Sequence, residues 1–269
     1  MMELYSFYSG SFIVGALVAI CLTLAGSQIA PRKMSLETLY LAQAIIFSSL
    51  LGKLFFHDSH FGALLFSIAF ISVLRFWVLS IKGNFKRNLS DFFIALFLVF
   101  LSLSYGIISY FPNLEAHMGQ SFFGDLVTVS THEQYYLGII SIFYILYFFI
   151  QYKTIKRETF EHSLGITKKN ISPFIIFTFV LLVSSLFSMG LIYSLCFLLI
   201  PVTILSSSAN SLKSLLLQTS LIALVSPLAG LGLSIKYERL STVPLIVIFV
   251  LLLSLLARLI ERLKERKVG

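Results

Sequence analysis

Val243–Ile260 reads Val-Pro-Leu-Ile-Val-Ile-Phe-Val-Leu-Leu-Leu-Ser-Leu-Leu-Ala-Arg-Leu-Ile, with no charge before Arg258. The run is continuously apolar, not alternating, which marks a helix and not a barrel strand. About 20 such residues cross the ~30 Å hydrocarbon core of a bilayer. Lipid offers the backbone no hydrogen-bond partner, and a helix satisfies its own. A charged tail follows the run.

The same pattern recurs toward the N-terminus. Leu212–Ile235 precedes it, with a break expected near Pro227, Gly230 and Gly232. Before that come the short Leu191–Leu205, then Ile171–Met189 and Tyr135–Tyr152. The earliest runs are Phe92–Phe111, Phe61–Ile81 with Arg75 inside, Leu36–Phe56 with Gln43 and Lys53, and Phe12–Ala30. Pro112–Gln134 reads as a polar connection and Lys153–Asn170 as a basic loop. The prediction is an all-α polytopic membrane protein of about nine transmembrane helices, one domain over residues 1–269. Composition agrees: 58% of residues are hydrophobic, mean hydropathy is +0.94 and 12% are charged. A soluble domain carries about twice that charge. The lipid bilayer is therefore the first expected partner.

The net charge of +8 does not point to nucleic acid, because the basic residues sit in short loops between apolar runs. That placement sets orientation. With the C-terminus cytoplasmic, the inner loops and tail hold 16 of the 20 basic residues, from Arg32 and Lys33 to Arg266 and Lys267. The outer loops hold only Lys236 and Arg239. An odd number of spans then puts the N-terminus outside. No signal-peptide pattern is expected, since Glu3 occupies the place of a basic n-region. His57, His60, His117 and His132 fall in outer loops, with His162 inside. Cys21 and Cys196 lie within apolar spans and read as packing residues.

No phosphate loop is present: Gly52-Lys53 is followed by Leu54 and lacks the upstream glycine. No nucleophile elbow or zinc motif appears either. The chain is read as non-enzymatic, with no cofactor of its own. His57-Asp58-Ser59-His60 is the densest group of metal-ligating residues, either a funnel that admits a metal or a polar hairpin. Glu37 is a second candidate at membrane depth, with an ion pair to Lys33 at the inner surface as the alternative. Gln43 is a third, with a helix-bridging amide as the alternative. Arg75 reads as packed and paired, with a cavity-facing or snorkelling side chain as the alternative. Pro201 is expected to weaken its helix, leaving a re-entrant or surface helix or a plain loop before Lys213.

Several stretches resemble the permease subunits of zinc- and manganese-type ABC importers. Arg32-Lys33-Met34-Ser35 followed by Leu41-Ala42-Gln43-Ala44 is similar to one motif. Phe123-Gly124-Asp125-Leu126 matches another, and Gly190 through Pro201 to Ser211-Leu212-Lys213 a third. Ser163-Leu164-Gly165-Ile166 and Pro244 also fit. The likeness runs over nearly the whole chain. It implies a multi-pass protein of the cell (inner) membrane that imports a divalent transition metal. It implies a dimer with a second permease copy or a paralogue, cytoplasmic ABC ATPase subunits and an extracytoplasmic metal-binding protein. It also implies a coupling segment at about residues 201–213, with Pro201, Ser206, Ala209, Asn210 and Lys213 against the ATPase. Ser206 stands where the family carries a basic residue.

One departure falls on the metal path. The family's second span carries an Asp and, four residues on, a His; these positions read Leu39 and Gln43. Leu cannot ligate a metal and Gln is a weak oxygen donor. A different cargo, a ligand-bearing partner permease, or ligands from elsewhere would each account for this. A secondary transporter, or an ABC permease for a non-metal substrate, is the competing reading of the whole chain.

Overall fold

A computed structural model describes residues 8–56, 60–81, 89–124, 126–127, 129–164, 172–209, 211–237 and 240–268, with the backbone alone at 60, 79 and 264–268. Among these residues every regular element is helical. They are α1 (Ser9–Ile29), α2 (Ser35–Phe55), α3 (His60–Ile81) and α4 (Leu89–Tyr110), then α5 (Glu115–Phe123) and α6 (Thr131–Ile150). There follow α7 (Tyr152–Ser163), α8 (Pro173–Met189), α9 (Leu191–Leu205), α10 (Leu212–Lys236) and α11 (Thr242–Val268).

Seven of these helices are long and apolar enough to cross a membrane, namely α1 to α4, α6, α10 and α11. The other two expected spans are shorter: α8 has 17 residues and α9 has 15. At 1.5 Å per residue, α9 is only about 22 Å long. The two form a hairpin whose only joint is Gly190, at φ 85°. Ser194 donates to Ser185 across it at 3.2 Å. The pair is extensively buried, so protein rather than lipid surrounds most of it.

Helix α1 is the hub, packing against α6, α9 and α10. Gly26 makes one of these contacts possible: a Cβ there would sit 1.9 Å from the Leu198 carbonyl oxygen. The α10–α11 and α9–α11 contacts close one side of the bundle, and α2 carries α3 and α4 on the other. Tyr40 stacks on Phe93 at 5.1 Å, and Phe47 meets Phe70 and Phe100 at 5.8 and 5.6 Å.

Three connections differ from expectation. The polar segment after α4 contains α5 and the start of α6. That start is fixed by a capping box between Ser130 and Glu133. The basic loop begins as α7, a helix whose buried residues are Ile155 and Thr159. Helix α10 is unbroken through Pro227. Neighbouring helices bury Pro227 and hold α10 continuous through it.

Candidate functional site

Consecutive helices joined by short turns put Arg32, Lys33, Lys153, Lys156, Arg157, Lys213 and Arg258 at one end of the bundle, here the basic end. The α1–α2 turn there follows from backbone hydrogen bonds. Met34 N–H donates to the Ile29 carbonyl at 3.2 Å and Lys33 N–H to the Ala30 carbonyl at 3.0 Å. This is a Schellman ending with Lys33 at the left-handed position, φ 56°, where glycine is the usual residue.

Arg32, beside it, is turned inward and only 4% exposed. Its Nε and Nη2 donate to the Thr159 hydroxyl at 3.0 and 2.9 Å. Thr159 Oγ1 lies 2.8 Å from Gln28 Oε1, its acceptor. Glu158 is 3.8 Å from the guanidinium and accepts from the Ser172 hydroxyl. Phe174 lies beneath, 4.9 Å from Cζ. One side chain thus ties the α1–α2 turn to α7 and α8. Burial pushes the Arg32 pKa down, and Glu158 opposes that shift. Arginine stays charged even so.

Glu37, one turn into α2, is 3% exposed. The expected partner Lys33 is exposed and not the residue it engages. Arg75 of α3 reaches Glu37 instead, at 3.4 Å, and lies 3.9 Å over the Phe179 ring of α8. A cleft beside Arg32 is lined by Met34, Glu37, Thr38, Leu41 and Phe174. Spacing explains the correction: Lys33 leaves its turn with left-handed backbone, while the antiparallel α3 brings Arg75 level with the first turn of α2.

Gln43 is fully buried and neither its Oε1 nor its Nε2 has a hydrogen-bond partner. It does not bridge helices as expected. Tyr40, Gln43 and Phe47 share one stripe of α2, and the rings of Tyr40 and Phe47 face Phe93 and Phe100 of α4. The Tyr40 hydroxyl also lacks a partner. Leu39, one turn below Gln43, is half-buried. Glu37 and Gln43 are therefore not brought together. His57 and Asp58 lie outside the described residues, as does the side chain of His60. Among the described residues no group of three or more His, Cys, Asp or Glu side chains could hold a metal ion.

At the opposite end, Lys53 Nζ is 2.8 Å from His117 Nδ1 and 5.9 Å from the Phe187 ring centroid. There Gly124 meets the α8–α9 hairpin. A Cβ on Gly124 would fall 1.8 Å from the Met189 carbonyl oxygen, and one on Gly190 2.6 Å from Gly124 Cα. Leu126, two residues on, is buried and borders Gly15 of α1.

Pro201 does not interrupt its helix: α9 continues to Leu205, and Ser206–Ser208 form a plain turn closed by Ala209 N–H on the Leu205 carbonyl at 3.0 Å. Neighbouring helices bury Pro201. Ser206 is exposed, Ala209 half-buried and Asn210 outside the described residues. Ser211 caps α10, accepting from Ser214 N–H, so Lys213 lies in its first turn. Sequence reading missed Arg32 and Thr159 as one site and missed the Lys53–His117 pair. Their partners lie 127 and 64 residues apart, and no local pattern links them.

No curated protein matches this chain. The chain superposes on the solved structure of PsaBC from Streptococcus pneumoniae in complex with Fab with a TM-score of 0.76 and 20% identity, covering 92% of this chain and 89% of that one. At that identity the likeness is one of fold. The family comparison matches residues 4–261. With its bundle of apolar helices and its ordered motifs at both ends, the chain belongs to the ABC 3 transport family, the permeases of metal-type ABC importers.

Proposed function

We propose that the chain is the membrane-spanning permease subunit of an importer for zinc, manganese or iron, driven by ATP hydrolysis on a separate cytoplasmic ATPase. The observation that carries the reading is the family match over residues 4–261. The basic end faces the cytoplasm with the C-terminus, and the N-terminus is outside, following the positive-inside rule. The permease pairs with a second copy or a paralogue and receives its ion from an extracytoplasmic binding protein. The turn from Pro201 through Ser206, Ala209 and Asn210 to Lys213 docks on the ATPase. His57, Asp58 and His60 would form the funnel at the opposite end. Transport proceeds by alternating access, with ion affinity differing between the two states.

A second reading, an ABC permease for a non-metal cargo, is favoured by Leu39 and Gln43 at the family's ligand positions and by the engagement of Glu37 with Arg75. Uptake of radiolabelled zinc, manganese and iron into proteoliposomes holding the permease and its ATPase separates them. ATP-dependent uptake of one metal supports the first. ATP turnover with no metal uptake supports the second. Uptake by the lone chain on a proton gradient would replace both with a secondary transporter. Scrambling Val202–Lys213 is expected to abolish co-purification of the ATPase, and an unaffected complex would sink the coupling assignment.

A further inference from the structure

Helix α7 follows α6 after a single residue, Gln151, so it begins where a span ends. Its buried side is narrow. Ile155 and Thr159 face the bundle, and Thr159 is gripped by Arg32 and Gln28. Glu158 adds the contacts to Arg32 and Ser172. The helix is thus fixed in rotation by its polar side.

The opposite side is uncovered. Lys153, Lys156, Arg157, Phe160 and Leu164 are all exposed, Phe160 by 64% and Leu164 by 60%. At 100° per residue these five fall within one sector about 100° wide. Arg157 shares its charge with Glu161 at 3.5 Å, while Lys153 and Lys156 are in no ion pair among the described residues. The face therefore combines lysine charge, long aliphatic stems and two large apolar side chains at the level of the membrane surface. Soluble helices do not usually expose that combination, whereas interfacial helices do, with basic groups at headgroups and apolar groups at the acyl boundary.

We propose that the outer face of α7 is a binding surface for anionic phospholipid, with Lys153 and Lys156 at the phosphates and Phe160 and Leu164 in the upper acyl region. The Arg32–Thr159 contact holds that face toward the bilayer. Charge complementarity and the one-residue distance from the α6 span favour lipid over a protein partner.

The test uses the full chain, purified and placed in nanodiscs of phosphatidylcholine with a minor fraction of phosphatidylglycerol, with lipids retained on the protein counted by native mass spectrometry. Wild type is expected to enrich phosphatidylglycerol. Lys153→Gln/Lys156→Gln/Arg157→Gln is expected to lower that enrichment by about 25-fold, at about fivefold for each of the two unpaired lysines. Lys153→Arg/Lys156→Arg is expected to keep it. Unchanged enrichment in the glutamine variant would overturn the proposal. So would loss of a co-purifying ATPase from that variant with enrichment intact, since the face would then dock protein. If the glutamine variant is not recovered, wild type is titrated with salt, and enrichment that is the same at low and high ionic strength overturns the proposal equally.

Discussion

Arg75 lies between Glu37, at 3.4 Å, and the Phe179 ring, at 3.9 Å, so one guanidinium fastens α3 to both α2 and α8. Its Nε and Nη1 have no hydrogen-bond partner. The carboxylate and the ring therefore provide most of the stabilisation of a cation taken out of water. Removing one partner of a buried ion pair leaves the other charge uncompensated and costs about 3–5 kcal/mol. Glu37→Gln should lower the thermal midpoint of the detergent-solubilised protein sharply. Glu37→Leu/Arg75→Met, which removes both charges at similar volume, should recover most of the loss. A Glu37→Gln protein as stable as wild type would show that the pair carries no net stabilisation.

Gly190 is the sole joint of the α8–α9 hairpin, at φ 85°, and its Cα hydrogens face the Gly124 backbone. Alanine there meets two penalties, a positive-φ extended backbone that is essentially glycine's alone, at about 1–3 kcal/mol, and a Cβ 2.6 Å from Gly124 atoms. Gly190→Ala is expected to cut the yield of monodisperse protein severely on size-exclusion chromatography. Gly106→Ala is the control. A Cβ on Gly106 of α4 meets nothing within 4 Å, and helix propensity predicts a gain of about 0.5–1 kcal/mol. Equal behaviour of the two variants would remove the packing role of the hairpin joint.

Lys33 holds the left-handed position of the Schellman turn with an exposed side chain. Lys33→Gly relieves the backbone, offset in part by the greater freedom of glycine in the unfolded chain. The net expectation is a gain of about 0.5–1 kcal/mol in a denaturation midpoint. Lys33→Val should lose stability, because a branched side chain tolerates positive φ worst. The opposite order would show that the turn relaxes in solution.

The long helices could be read from the chain because lipid demands continuous apolar length, and only helices meet that demand. Val243–Ile260 lies within α11 and Phe12–Ala30 matches α1 to within a turn. Amphipathic and interrupted elements were harder. Helix α7 buries only Ile155 and Thr159, so Lys153–Asn170 shows charge without a clear apolar stripe. Pro227 signals a break that packing around α10 suppresses. Arg75 is packed and paired as expected, but its partner was not legible. Glu37 has Lys33 four residues away in sequence, but the chain's path puts Arg75 against it. Locally, only the pattern at residues 39 and 43 pointed to the α2 stripe.

Gln43 is the test of whether that stripe is kept for transport or for packing. Its amide is fully buried, and neither polar atom has a partner. An amide held that way costs about 1–3 kcal/mol relative to an apolar group of similar size. Gln43→Leu should therefore raise the thermal midpoint, with Tyr40 and Phe47 still seated on Phe93 and Phe100. If the amide serves the moving ion, the same variant should lose ATP-driven uptake while ATP turnover persists, giving a more stable and less active protein. Raised stability with full uptake would assign Gln43 to packing alone and place the cargo path off this stripe. Lowered stability would mean that the amide has partners in solution, and would count against an orphaned group in α2.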